Sequence, residues 1–197
     1  MRPLLKRRIR LTPLLAFLLL LPPMAIMAKK DNNHNDAFMP GEPNEARIMK
    51  EVRHQLLLLP YYGVFDDLAF KAEGGTITLM GAVTRPTLKS DAEGVVKRID
   101  GVTNVVNQIE VLPLSPNDDQ IRRAEYRAIY GDSALSTRYG FRALPSVHIL
   151  VKNGHVQLEG WVANKFDYDL VNIRAKGVPG VFSVNNDLQI ESEQPRP

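Results

Sequence analysis

The 197-residue chain contains no cysteine. Disulfide frameworks, zinc–thiolate sites, iron–sulfur clusters and cysteine nucleophiles are therefore excluded. We also expect no lipid anchor of the bacterial lipoprotein kind, because that anchor is attached to a cysteine at the cleavage site. A chain without thiols tolerates an oxidising compartment without needing disulfides.

An excess of positive over negative charge is confined to the amino terminus. The formal net charge is +3, and the 25 basic residues face 22 acidic ones. Within the first ten positions lie Arg2, Lys6, Arg7, Arg8 and Arg10, and the rest of the chain holds 20 basic residues against the same 22 acidic ones. A domain-wide basic surface, typical of nucleic-acid binders, is therefore absent, and we expect no nucleic-acid partner.

Residues 1–28 have the three parts of a secretory signal: a basic start, an apolar stretch from Leu11 to Leu21, and a small residue, Ala28, before the expected cut. The apolar stretch is short for a bilayer span of about 20 residues. A cleaved signal peptide and a periplasmic protein are therefore favoured, and the alternative is an uncut anchor in the inner membrane. Residues 29–43 are polar and predict a disordered linker.

The remaining chain contains an internal repeat. Residues 75–111 align with residues 154–190 at a constant offset of 79, without gaps. Identical residues stand at Gly75/Gly154, Leu79/Leu158, Gly81/Gly160, Val83/Val162, Lys97/Lys176, Gly101/Gly180, Val102/Val181, Val105/Val184 and Asn107/Asn186. The identities fall at glycines and at alternating strand positions, so the two copies are predicted to share one fold.

In the first copy the pattern predicts a helix, a hairpin, a second helix and a third strand. The first helix buries Ile48, Val52, Leu56 and Leu59, which are spaced to share one face. The hairpin turns at residues 73–75. Thr84 is predicted to cap the second helix, and residues 105–111 are predicted to form the third strand.

The second copy predicts the same order of elements. Asn117 is expected to cap its first helix. A longer passage, residues 131–145, precedes a hairpin that turns at Asn153-Gly154. Phe166, Leu170, Ile173 and Ala175 form the predicted buried face of the following helix.

The predicted fold class is α+β, with two tandem α-β-β-α-β units. Each unit is expected to be a three-stranded mixed sheet covered on one face by two helices. We place the first domain at residues 44–112, a linker at 113–117, the second domain at 118–191 and a polar tail at 192–197. The relative orientation of the two domains and the oligomeric state stay open.

Each copy carries the same short motif: a strand ending in Gly-x-Val, a helix, and then Gly-Val-x-x-Val. The motif positions are Gly81, Val83, Gly101, Val102 and Val105 in the first copy, and Gly160, Val162, Gly180, Val181 and Val184 in the second. This pattern resembles the BON domain over about residues 45–191. The resemblance implies a non-enzymatic envelope protein linked to osmotic stress, envelope integrity, phospholipid binding and, in some relatives, chaperone-like activity.

The remaining candidate residues give little sign of chemistry. Gly81 and Gly160 are read as positions where the helix approaches closely over the sheet, or as bulges, rather than as ligand contacts. His148 and His155 are placed where they can approach each other across the second hairpin, but two imidazoles alone make a poor metal site. The acidic pairs Asp66-Asp67 and Asp167/Asp169 have no matched partner and are assigned turn and surface roles. We expect no enzyme activity, cofactor, metal or small-molecule substrate.

One region of the second copy combines arginine with aromatic residues. Its candidate binding residues are Arg122, Arg123, Tyr126, Arg127, Tyr130, Arg138, Tyr139 and Phe141. Arginine suits phosphate and tyrosine suits a membrane interface. The cluster therefore predicts a contact with anionic phospholipid or with a membrane-associated protein.

Two alternatives to this reading stay open. The cluster can be an ordinary solvated face, in which Asp118, Asp119, Glu125 and Asp132 partly cancel the charge. The protein can also be a soluble periplasmic protein-interaction or chaperone-like module that does not bind lipid.

Overall fold

The computed structural model describes residues 45–142 and 145–191. The predicted signal peptide, the linker at 29–43 and the tail at 192–197 lie outside the described residues. The described chain folds as two domains with the same order of strands.

The first domain is built around a central strand. Its elements are α1 (Glu45–Leu57), β1 (Asp67–Glu73), β2 (Thr76–Val83), α2 (Pro86–Val96), β3 (Asn104–Asn107) and β4 (Glu110–Val111). Strand β2 pairs antiparallel with β1 on one side and parallel with β3 and β4 on the other. Helices α1 and α2 contribute the buried side chains that cover this sheet.

The second domain repeats this arrangement. Its elements are α3 (Pro116–Tyr130), α4 (Ser133–Tyr139), β5 (Val147–Lys152), β6 (His155–Val162), α5 (Lys165–Lys176), β7 (Ser183–Asn186) and β8 (Gln189–Ile190). Strand β6 is central, with β5 antiparallel and β7 and β8 parallel to it. The predicted tandem α+β fold is confirmed. Helix α4 lies within the longer passage at residues 131–145, where the sequence pattern predicted no helix or strand.

The predicted third strand of each domain is present in two pieces, and a repeated asparagine lies at the break. The Asn107 side chain accepts a hydrogen bond from Ile109 N (3.2 Å) and donates one to Lys89 O on α2 (3.0 Å). Asn186 makes the equivalent bonds with Leu188 N and Tyr168 O (both 3.3 Å). This residue therefore ends the first piece of the strand and ties it to the helix above.

The repeated glycines of the central strands lie where a side chain has no room. Gly81 and Gly160 have φ angles of +103° and +109°. A Cβ atom there would collide with the carbonyl oxygen of Asp67 or Ser146 next to it. The close approach that requires glycine is therefore made by the backbone of the neighbouring chain segment, and not by the helix as predicted.

Two predicted helix caps are wrong. The N-cap position of α2 is Arg85, which makes no capping bond, while Thr84 donates from N and Oγ1 to Asp66 (2.7 and 2.8 Å). Helix α3 begins at Pro116, and its cap is Ser115, whose Oγ accepts from Asp118 N (3.2 Å). Proline is favourable in the first turn of a helix, so α3 begins before the predicted cap, Asn117.

The predicted buried face of α5 is also wrong in part. The helix buries Asp167, Val171 and Ala175, whereas Phe166 and Ile173 are 65% and 64% exposed. Spacing of apolar residues favoured the wrong face, because the residue that points inward in the first turn is an acid. The carboxylate of that acid has its hydrogen-bond partners inside the second domain.

The two domains contact each other along one edge of the second sheet. Residues 62–66, between α1 and β1, lie beside β5, and Ile149 N donates to Val64 O (2.7 Å). The Tyr62 and His148 rings stack at 5.5 Å. Lys152 pairs with Glu110 across the contact at 2.5 Å.

Within the described residues, no helix has both the length and the apolar character needed to cross a bilayer.

Candidate functional site

The structure divides the eight predicted binding residues into buried and exposed groups. Arg122, Tyr130 and Tyr139 are buried. Arg123, Tyr126, Arg127, Arg138 and Phe141 are exposed. Spacing along a helix could not separate them, because the side chains that face β5 and those that face solvent alternate along α3.

Arg122 and Tyr130 hold α3 against the outer edge of β5. Arg122 is 5% exposed and donates to Val151 O (2.6 Å) and to Asp119 (2.6 Å). Tyr130 donates to Val147 O (2.6 Å). These side chains are committed to internal hydrogen bonds, so the surface contact predicted for them is unavailable in this structure.

Arg138 and Tyr139 belong to a polar cluster around Asp167. The Asp167 carboxylate is fully buried, accepts from Tyr139 Oη (2.7 Å) and forms an ion pair with Arg138. The pairing raises the pKa of Arg138, and its guanidinium stays charged. Asn164 Nδ2 adds a third bond to this carboxylate (3.2 Å). Asp167 was expected at the surface. Its internal partners explain why it is buried instead.

The exposed members on α3, together with two partly buried residues before β1, form what we call the basic–aromatic surface: Val64, Phe65, Arg123, Tyr126 and Arg127. These residues line a shallow depression of about 390 Å³. The Tyr126 ring stacks on Tyr130 at 5.0 Å and meets Phe65 edge-on at 6.3 Å. Tyr126 is still 45% exposed. Phe141 lies beyond α4 and does not line this depression.

Arg123 and Arg127 lie one helical turn apart on α3, on either side of Tyr126. Within the part of the chain that the structure describes, neither guanidinium has a hydrogen bond or an ion pair. The surface therefore presents two unpaired positive charges next to exposed aromatic rings.

The nearby acids do not neutralise these two arginines. Asp118 accepts from Asn153 N and Gly154 N at the second hairpin (2.9 and 2.8 Å). Asp119 pairs with Arg122 and Asp132 pairs with Arg174 (both 2.6 Å). These three acids are therefore bonded to other groups and do not pair with Arg123 or Arg127, as the alternative of a charge-balanced solvated face would require.

The fourth acid, Glu125, lies in the interior. Its side chain is fully buried, and neither carboxyl oxygen has a hydrogen-bond partner. Burial raises the pKa of Glu125 to about 8. The carboxyl group is therefore largely protonated at neutral pH and adds little negative charge beneath Arg123 and Arg127.

Two of the three apolar or aromatic residues of this surface come from the first domain. Val64 and Phe65 belong to the segment before β1 and were not among the predicted binding residues. No pattern along the chain pointed to them, because they reach α3 only through docking of the two domains. The sequence feature that marks them is that two apolar residues follow directly after Gly63 in a connecting segment.

The two histidines considered as a metal pair are not neighbours. In the β5–β6 register His148 lies opposite Glu159, while His155 lies opposite Lys152 at the other end of the hairpin. The prediction that they approach each other is wrong. Among residues 45–142 and 145–191, no three His, Asp or Glu side chains are grouped to hold a metal ion.

Comparison with known proteins gives one family. A family model described as the BON domain matches residues 44–113 and 117–192. Osmotically-inducible protein Y of Escherichia coli (strain K12) is 30% identical over 130 residues, which cover 62% of this chain and 61% of the relative. The match thus spans about three fifths of that relative's length.

Two solved structures are distantly similar to this chain. The C-terminal domain of CdsD, a structural protein of the type III secretion system of Chlamydia trachomatis, is 13% identical at a TM-score of 0.29 and covers 75% of this chain and 99% of its own. A second CdsD structure is also 13% identical, at a TM-score of 0.28, and covers 72% of this chain and 91% of its own. At these TM-scores the likeness supports no conclusion about function.

Proposed function

The chain belongs to the BON domain family, and from that premise we propose that it is a non-enzymatic protein of the bacterial envelope that binds anionic phospholipid. The observation that carries the proposal is the pair of unpaired arginines, Arg123 and Arg127, on either side of the exposed Tyr126 ring. Export by a signal at residues 1–28 would bring this surface to the envelope. The osmotic induction in the name of its relative supports a role in envelope integrity under osmotic stress.

The chemistry of the basic–aromatic surface fits a phosphate headgroup. A guanidinium presents N–H groups in a planar fork that matches phosphate oxygens. Tyrosine and phenylalanine rings suit the boundary between headgroups and acyl chains, where one end is wet and the other apolar. The depression is shallow and open, so it suits a membrane surface better than an enclosed small molecule. Because the charge is local, we expect added salt to weaken the attraction.

Vesicle flotation tests the proposal. The chain should float with vesicles of phosphatidylcholine and phosphatidylglycerol and should stay behind with phosphatidylcholine alone. Each basic residue near an anionic surface contributes about 1 kcal/mol. The double substitution Arg123→Gln/Arg127→Gln should therefore weaken binding by about tenfold or more.

The matched control is Arg53→Gln/Arg98→Gln, which removes the same charge from exposed positions of the first domain. It should bind anionic vesicles like the unmodified chain. Equal flotation with both kinds of vesicle, or equal losses in the two double variants, would contradict the proposal.

A second candidate is a soluble protein-interaction or chaperone-like module. The observation that favours it is a cleft between the two domains with exposed apolar side chains, lined by Met49, Leu57, Phe70 and Trp161 among others. A protein of this kind would suppress aggregation of a client protein without lipid. Loss of Arg123 and Arg127 would leave that activity unchanged.

A further inference from the structure

The cleft between the domains runs along the free edge of the first sheet. It has a volume of about 640 Å³ and is bounded by α1 and β1 of the first domain and by β5 and β6 of the second. Side chains from both faces of β1 line it, Leu68 and Phe70 from one face and Asp67 and Ala69 from the other. The space is therefore next to the backbone edge of this strand rather than over one face of the sheet.

The equivalent edge in the second domain is already occupied. Val147 O accepts from Tyr130, Ile149 N donates to Val64 O, and Val151 O accepts from Arg122. These three residues of β5 alternate along the strand, as expected for backbone groups that point away from β6. One of their partners is a carbonyl of residues 62–66, so a segment from outside the sheet already bonds to a strand edge here.

Two of the three equivalent positions of β1 are open, while the backbone of the third, Leu68, is already bonded to the Tyr62 hydroxyl. The registers coincide, because Phe70 lies opposite Leu79 and Ile149 opposite Leu158, 79 residues later in both cases. Phe70 and Ala72 therefore point their backbone groups outward. Within the described residues these groups have no hydrogen bond outside the pairing with β2. An exposed strand edge of this kind is a template for pairing with another chain.

The apolar wall of the cleft comes from α1. Met49 and Leu57 lie two helical turns apart and are both exposed to solvent. They stand on the side of the sheet to which Leu68 and Phe70 point, since these strand residues pack against the helix-covered core. Side chains alternate across a strand, so every second residue of an added strand would meet this apolar wall.

The opposite side of the edge is acidic. Asp67 of β1 and Glu159 of β6 both line the cleft, and neither has an ion pair among the described residues. Burial raises the pKa of both carboxyl groups, and their mutual repulsion raises that of Glu159 further. Arg53 also lines the cleft from α1, where it is exposed, and it pairs with neither acid. His148 of β5 also lines the cleft and partly offsets the rise in the pKa of Asp67, whereas Glu159 has no such neighbour, so an added cation would reduce the repulsion between the two carboxyl groups.

We propose that the interdomain cleft binds an extended polypeptide segment, which adds a strand to the free edge of β1 and places lysine or arginine against Asp67 and Glu159. The intervening apolar side chains pack against Met49 and Leu57. This proposal deepens the second candidate function by naming its partner, and it is independent of lipid binding. Backbone pairing supplies affinity for any extended segment, and the two walls supply the preference for alternating basic and apolar residues.

Fluorescence anisotropy with three labelled peptides tests the proposal in the absence of lipid. The first is a heptapeptide that alternates lysine and valine. The second has glutamate in place of lysine. The third keeps lysine and valine but carries N-methyl groups on alternate backbone amides, which removes the hydrogen bonds of an added strand. The first should bind saturably, and the other two should bind about tenfold more weakly or worse.

The Asp67→Asn/Glu159→Gln variant tests the acidic wall. It should bind the lysine peptide about tenfold more weakly. The control Asp91→Asn/Glu51→Gln removes the same charge from the helices of the first domain and should bind like the unmodified chain. Thermal unfolding confirms that the variants fold. If either fails to fold, the three peptides on the unmodified chain decide the matter.

Hydrogen exchange locates the peptide. The amides of Phe70 and Ala72 should gain protection when the lysine peptide is added, whereas those of Ile149 and Val151 should not change. Equal affinity for the lysine and glutamate peptides, unchanged binding after N-methylation, or no binding at all would overturn the proposal. None of these outcomes bears on vesicle flotation, so the lipid proposal is tested separately.

Discussion

The two domains share a backbone but differ in what they bury. Helix α1 buries Ile48, Val52 and Leu56, and the matching row on α3 is Ile121, Glu125 and Ile129. Helix α2 buries Leu88, Ala92 and Val96, where α5 buries Asp167, Val171 and Ala175. At two positions an aliphatic residue of the first domain is therefore an acid in the second.

The two acids differ from each other in an instructive way. Asp167 is surrounded by Arg138, Tyr139 and Asn164 and has a full set of partners. Glu125 has none. Burial of an acid is tolerated either by pairing it or by keeping it protonated, and the second domain does both. At the equivalent positions the first domain has Val52 and Leu88 and needs neither; its own buried acid, Asp66, lies before β1.

The same backbone N–H is also satisfied by different means in the two domains. In the first, Thr84 N donates to the buried Asp66 (2.7 Å). Its counterpart 79 residues later, Ala163 N, donates to Tyr139 Oη (2.9 Å), which in turn donates to Asp167. Helix α4 supplies that tyrosine, so the extra helix is part of the polar interior of the second domain. Repetition preserved the hydrogen bond while replacing its partner.

The largest expected effect comes from making the second domain resemble the first. Asp167→Leu copies Leu88 but leaves Arg138, Tyr139 and Asn164 without their acceptor. The Arg138 end of the pair is half exposed, so the cost comes from the Tyr139 and Asn164 donors that lose their acceptor, and we expect about 3 kcal/mol in total. The only tryptophan, Trp161, lies in the second domain, so its fluorescence in a urea titration reports this loss. A change below about 1 kcal/mol would contradict the role assigned to the cluster.

Glu125 should make the stability of the second domain fall as the pH rises. Its pKa is raised from 4.5 to about 8 in the folded chain. The folded state therefore holds a proton that the unfolded state releases, and stability present below pH 4.5 is lost progressively up to about pH 8. The loss is on the order of a few kcal/mol.

Most charged side chains on the elements that pack against α3 are paired with one another, as Asp167–Arg138, Asp132–Arg174, Glu110–Lys152 and Lys165–Asp169, and Lys176 at the end of α5 is exposed to solvent. Urea titrations of Glu125→Gln at pH 5, 7 and 9 isolate the effect of Glu125. The variant should lose less stability than the unmodified chain between pH 5 and 9. The matched variant Glu51→Gln on α1 should follow the unmodified chain, and parallel pH dependence in all three proteins would contradict the prediction.

A smaller effect is expected from Asp66 in the first domain. Asp66→Ala removes the acceptor of Gly63 N, Thr84 N and Thr84 Oγ1. Leaving buried donors without a partner costs about 1–3 kcal/mol. Calorimetry should show a lower melting temperature for the variant. An unchanged melting temperature would mean that water replaces the carboxylate at no cost.

The smallest effect is expected at the ion pair between the domains. Lys152 and Glu110 are each about half exposed at 2.5 Å. Exposed pairs contribute at most about 1 kcal/mol. Lys152→Ala should therefore change the urea midpoint very little, in contrast to Asp167→Leu. A loss of stability as large as that of Asp167→Leu would contradict the expectation that an ion pair exposed at both ends contributes little.

The repeat and its glycines were enough to predict the fold, because alternation and turn residues determine a hairpin locally. The buried face of α5 was predicted wrongly, since periodicity assumes that apolar residues point inward, and Asp167 reverses that at the first turn. Helix α4 was missed because residues 133–139 are mostly polar and its buried side chains, Leu135 and Tyr139, are only two.

The candidate surface was predictable only in part. Spacing put Arg123 and Arg127 on one face of a helix, as the structure has them. It could not show that Arg122 and Tyr130 bond to the edge of β5, because that edge is formed by residues up to 29 positions away. Spacing also could not predict that Phe65 lies beside Tyr126, because contact between the domains depends on packing that is not visible in a local sequence pattern.

The claim that the second domain carries the membrane contact is tested most directly by hydrogen exchange of the full chain with and without phosphatidylglycerol-containing vesicles. We expect that vesicles slow exchange in residues 116–130 and 61–66, and that exchange in residues 45–57 of the equivalent helix in the first domain is unaffected. Protection of residues 45–57 instead, or no protection anywhere, would contradict it.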